Sequence, residues 1–80
     1  MELTVHLYGI TRDITRKSRQ TIELEEGSSV EDLLRRFYSE YPELEGLKSL
    51  VVAVNDEYAE PTQVLSVRDE VALIPPVSGG

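Results

Sequence analysis

The amino-acid sequence predicts an α+β fold, a mixed sheet with one main helix packed across one face. Three observations lead there: two-residue hydrophobic alternation towards both ends, one segment of helical periodicity between them, and a continuous apolar run of strand length after the helix. Eighty residues make one domain with a small core.

"LTVHLY" opens the pattern, with Leu3, Val5 and Leu7 on one face and Thr4, His6 and Tyr8 on the other, so a half-buried strand spans Leu3 to Tyr8. "QTIEL" places Ile22 and Leu24 on one face before "EEGSS" breaks it, which suits a hairpin with the first strand. The connection, "RDITRKSR", holds four of the eight cations, Arg12, Arg16, Lys17 and Arg19. It reads as a solvated hairpin loop, with a phosphate or partner contact as the alternative. Ser28 and Glu31 match a capping box, and Val30, Leu33, Leu34, Phe37 and Tyr41 then form an apolar helical stripe that Pro42 ends. "LEGL", Leu44 to Leu47, reads as a short turn. "LVVAVN" has the unbroken apolarity of a buried central strand. Asn55 and Asp56 predict a turn, "EYA" a brief edge piece, and "DEVALIP" a final strand with Val71 and Leu73 on one face and Ala72 and Ile74 on the other.

Charge and composition exclude several functions. Fifteen acidic against eight basic residues give −7, the wrong sign for nucleic acid and the right one for a basic protein partner. No apolar run of spanning length and no secretory leader is visible, so the expected location is the cytoplasm, away from membranes. Without cysteine, any sulfur chemistry must use sulfur brought from elsewhere. His6 is the lone histidine, and the acidic pairs are sequence neighbours whose side chains diverge, so no metal site or histidine-based triad is expected. There is no phosphate loop and no nucleophile elbow. A self-contained enzyme is not expected.

That leaves the end of the sequence, Pro75, Pro76, Val77, Ser78, Gly79 and Gly80. Proline favours a stiff extended backbone, and glycine passes through narrow channels closed to larger residues. The division is thus a body over residues 1–74 and a flexible diglycine tail over 75–80, reaching at most about 20 Å from Pro75. The α-carboxylate of Gly80 is the group with unusual accessibility. An ionised carboxylate is a poor electrophile, so it would need activation by an ATP-using enzyme.

"AVN" at Ala53 to Asn55, "DEVALIPPVSGG" at Asp69 to Gly80 and, more loosely, "YGITRD" after the first strand resemble the sulfur-carrier (MoaD/ThiS) family of molybdopterin synthase small subunits. The resemblance implies a ubiquitin-like β-grasp. It further implies that a ubiquitin-activating-like adenylyltransferase spends ATP to adenylate Gly80, that Gly80 becomes a thiocarboxylate, and that the tail enters the large synthase subunit, in a heterotetramer, to donate sulfur to the cyclic pterin precursor. The chain itself would bind no cofactor. Gly9 and Arg12 match a small residue and an arginine usual there. Arg68 stands where the family usually has glycine, which predicts a different turn before the last strand. Alternatives are a carrier for thiamine or another thiolated product, a ubiquitin-like modifier conjugated through Gly80, and a plain β-grasp interaction module. From the strand faces, Tyr8, Ile74 and Tyr58 are the expected partner-binding cluster, with Arg12 beside them.

Overall fold

The structure, a computed structural model, describes residues 1–47 and 50–75. Five strands, β1 (Glu2–Leu7), β2 (Arg19–Glu23), β3 (Val51–Val54), β4 (Glu57–Tyr58) and β5 (Val71–Ile74), form one sheet in the order β2-β1-β5-β3-β4. Two α-helices, α1 (Ile10–Thr15) and α2 (Val30–Glu40), and a 3₁₀ turn at Pro42–Gly46 complete it. β1 and β5 pair in parallel and every other pairing is antiparallel, so the sheet is mixed as expected. No helix among the described residues is long and apolar enough to cross a membrane.

The core is the one the alternation foretells. Leu3, Val5, Leu7, Ile22, Val52, Val54, Val71 and Leu73 present one sheet face to Val30, Leu33 and Phe37 of α2, and Leu44 and Leu65 close its ends. Leu24, Leu34 and Tyr41 are only partly buried at its margin.

Three readings need correcting. "RDITRKSR" is not a solvated loop throughout, because its first half winds into α1, with Thr11 and Thr15 buried. The Thr11 hydroxyl accepts from the Tyr8 N–H at 3.0 Å and donates to the Tyr8 carbonyl at 2.6 Å, while the Thr15 hydroxyl donates to the Thr11 carbonyl at 2.9 Å. These satisfied hydroxyls let a six-residue helix form where propensity is poor. The capping box lies one residue later than the Ser28 and Glu31 pair. Ser29 caps α2, its side chain accepting from the Asp32 N–H at 3.3 Å, and Asp32 accepts in return from the Ser29 N–H at 2.9 Å. Ser28 is already committed, its hydroxyl donating to the Glu25 carbonyl and its backbone carbonyl accepting from the Leu65 N–H.

β3 is not central either, since β5 holds the middle and β3 lies between it and the two-residue β4. Arg68, expected to change the turn before the last strand, sits in one that needs no glycine. The Asp69 N–H closes a turn on the Ser66 carbonyl at 3.0 Å, and Arg68 is not among the residues with positive φ.

The Asp32 carboxyl titrates below its ordinary 3.8, chiefly because its carboxylate accepts the Ser29 backbone N–H. A depressed folded pKa contributes stability above the unfolded value, and that stability is lost as pH falls through the folded one. Asp32→Asn should therefore flatten the fall in urea midpoint that the wild type shows from about pH 4 downwards. Ser29→Ala should cost about 1 kcal/mol at neutral pH, read from the same urea curves.

Candidate functional site

The sheet face turned away from α2 is uncovered, and its side chains form a shallow groove of about 320 Å³. One row crosses four strands: His6 pairs with Ala72, Ala72 with Ala53, and Ala53 with Tyr58. Two methyl groups thus make the floor, and the larger His6 and Tyr58 make walls. Two residues further along their strands, and so on the same face, Tyr8 and Ile74 extend the groove towards the end at which Pro75 leaves β5. Tyr8 is 54% exposed and Tyr58 77%, an unusual display for aromatic rings on a small domain.

The hairpin linking β3 to β4 rests on Asn55 and Asp56, both with positive φ, at 53° and 68°. Asparagine and aspartate tolerate that conformation best among non-glycine residues, which is why this dipeptide foretold the turn. The Asn55 amide then ties the turn to the approach to β5, its Oδ1 accepting from the Glu70 N–H at 3.0 Å and its Nδ2 donating to Asp69 at 3.0 Å. This fixes the far end of the groove.

Pro75 is held at the near end. Gly9 has φ +55°, and a Cβ built on it would stand 3.0 Å from Pro75 Cγ. Glycine is required here twice, by its backbone angles and by the proline packed on it. Gly9→Ala should therefore cost about 1–3 kcal/mol in thermal or urea unfolding and displace the Pro75 resonances in NMR spectra. Unchanged stability would show that Pro75 is not seated as described.

Of the residues predicted to bind a partner, Tyr8, Tyr58 and Ile74 come together in this groove. Arg12 is exposed on α1 and does not line it. Pro76, Val77, Ser78, Gly79 and Gly80, the predicted reactive tail, lie outside the described residues. The sequence reading overlooked Ala53, Ala72, Asp56 and Glu70 as groove residues. The signal for the alanines was the small residue between larger ones in "VAV" and "VAL". Among the described residues no cluster of three or more histidine or carboxylate side chains is placed to hold a metal.

Comparison with known proteins places this geometry in a family, because the model of the ThiS family matches residues 5–80. The chain belongs to the ThiS family. The molybdopterin synthase sulfur carrier subunit of Chlamydomonas reinhardtii is 39% identical over 83 residues, with both chains covered completely. Among solved structures, SAMP1 from Haloferax volcanii superposes with a TM-score of 0.86 at 24% identity, again over the whole of both chains. A complex of subunits 1 and 2 of the molybdopterin-converting factor from Helicobacter pylori contains a chain matching at a TM-score of 0.70 and 23% identity, with full coverage of both. The fold is the ubiquitin-like β-grasp. In this ThiS-family chain, the apolar end of the uncovered face and the seat of Pro75 lie at adjoining positions.

Proposed function

We propose that the chain is the sulfur-carrying small subunit of a molybdopterin synthase, its sulfur held as a thiocarboxylate on Gly80. The observation that carries this is the identity of 39%, end to end, with a molybdopterin synthase sulfur carrier subunit. In the active form Gly80 ends the chain. Its carboxylate attacks the α-phosphate of ATP on a separate ubiquitin-activating-like enzyme, releasing pyrophosphate. Persulfide sulfur then displaces AMP, and reductive cleavage by a thiol leaves the thiocarboxylate. The body, residues 1–74, docks through Tyr8, Tyr58 and Ile74, and the tail from Pro75 extends into the large synthase subunit of a heterotetramer. There the sulfur passes to the cyclic pterin precursor. No cofactor resides on this chain in the proposal, and ATP is spent by its activating partner.

Intact-mass spectrometry of the chain from its native cells tests this. A mass gain equal to sulfur replacing oxygen, localised to Gly80 by fragmentation, is expected, together with loss of molybdoenzyme activity but not of thiamine prototrophy when the gene is deleted. Covalent ladders on denaturing blots without thiocarboxylate would instead identify a protein modifier. A thiamine requirement in the deletion strain would identify a carrier for the thiazole.

A further inference from the structure

The two ends of the groove differ in chemistry. Near Pro75 it is apolar, at Tyr8 and Ile74, whereas the far rim carries Asp56 from the β3–β4 turn and Glu70 from just before β5. Both carboxylates are exposed, and among the described residues neither enters an ion pair or a side-chain hydrogen bond. Asp69 is different. One of its oxygens accepts from Asn55 Nδ2 at 3.0 Å and the other from the Ser66 N–H at 2.8 Å. Asp69 and Asn55 thus build the turns, and the charges of Asp56 and Glu70 are left free at the groove. Among the described residues no lysine or arginine lines it, and the one titratable group there besides these carboxylates and the tyrosines is His6.

The shape fits the charge. Between the walls at His6 and Tyr58 lie three strand spacings, about 14 Å, floored by Ala72 and Ala53. A long flexible side chain can lay its methylenes over those methyl groups and bring its charged head to the rim. The geometry points to a seat for one cationic side chain, an arginine or lysine of the docking partner, stretched over the alanine floor beside the tyrosine rings and ending at Asp56 and Glu70. It rests on the reading that a protein partner docks on this face. Aromatic faces attract cations, and paired carboxylates give the head charge-assisted hydrogen bonds. Charge also rules out the competing occupants. The chain's own Gly80 carboxylate would meet two like charges, and a second copy of a chain at −7 would be repelled.

The test titrates the isotope-labelled full chain with a blocked leucyl-arginyl-leucine tripeptide, followed by amide NMR, and with its citrulline counterpart, which keeps the shape and loses the charge. Shifts should centre on His6, Tyr58, Ala72 and Glu70. Asp56→Asn and Glu70→Gln should each weaken binding about threefold, and the double variant or the citrulline peptide about tenfold. Ala72→Leu, which fills the floor, should abolish it. Asparagine retains the left-handed backbone needed at position 56, and circular dichroism confirms that each variant folds. Equal binding of the citrulline peptide, shifts centred on α2 or β2, or no shifts at millimolar peptide would overturn the seat. The functional reading stands or falls separately, on the mass of Gly80.

Discussion

Deleting Gly80, or fusing residues after it that stay uncleaved, is expected to abolish sulfur transfer while leaving thermal unfolding unchanged. The proposed chemistry needs an α-carboxylate at the tip, and a fusion converts that group into an amide that cannot attack ATP. Deletion leaves the carboxylate of Gly79, but withdrawn by one residue, about 3.3–3.6 Å. Misplacement of a reacting group by even about 1 Å can cost a hundredfold in rate, so the truncated tail should be inactive as well. Stability is spared because no described residue of the core lies beyond Leu73. The assay is single-turnover sulfur transfer with the activating enzyme, a sulfur donor and the large subunit present. Full transfer by an uncleaved fusion would falsify the mechanism.

The second large effect separates body from surface. Leu33→Asp should unfold the domain, because Leu33 is 0% exposed and packs within the core, where a carboxylate finds neither water nor a partner. The penalty, several kcal/mol, is comparable to the whole stability of a small domain, about 5 kcal/mol at the lower end. Leu34, the more obvious choice from the sequence stripe, is only half-buried, so an aspartate there reaches solvent and does less harm. Tyr8→Ala and Ile74→Asp change the uncovered face instead. They should leave the circular dichroism spectrum and melting temperature near wild type, and Tyr8 keeps its backbone bonds to Thr11 whatever its side chain. Affinity for the large subunit should nevertheless fall about thirtyfold, as for an aromatic anchor at a docking surface. Salt should weaken the association of so acidic a chain. Unchanged affinity in both surface variants would place the docking surface elsewhere.

What the sequence disclosed, and what it withheld, follows from the range of each signal. Alternation in "LTVHLY" and "DEVALIP" reports burial residue by residue, and it correctly placed Leu3, Val5, Leu7, Val71 and Leu73 towards the helix and left Tyr8 and Ile74 outside. Helical periodicity needs several turns to show itself. α2 has eleven residues and was legible; α1 has six, rich in β-branched side chains, and depends on hydroxyl bonds that no periodicity reveals. The cap slipped by one residue because both serines and both acids offer the same local chemistry, and what sets Ser28 aside is its hydroxyl bond to the Glu25 carbonyl and its backbone bond to Leu65, distant in sequence. β3 looked central because Val52, Ala53 and Val54 are all buried. Ala53 is small enough to be hidden by its neighbours on an open face, so its burial is no sign of a second covering layer. The groove was half legible: its apolar end was visible in the strand faces, whereas its acidic end needs a turn and a strand approach to meet in space.

β5 comes last of the strands yet occupies the middle of the sheet, with β1–β2 on one side and β3–β4 on the other. Those two hairpins share no backbone ladder except through its four residues. During synthesis each hairpin can form locally, but joining them must await a segment whose partner Val5 was made long before its own Val71. Such distant pairing is slow to find and worthless until complete. The keystone strand is also the one that continues directly into Pro75. A chain that ends before Val71 therefore lacks the strand that ties the two hairpins into one sheet.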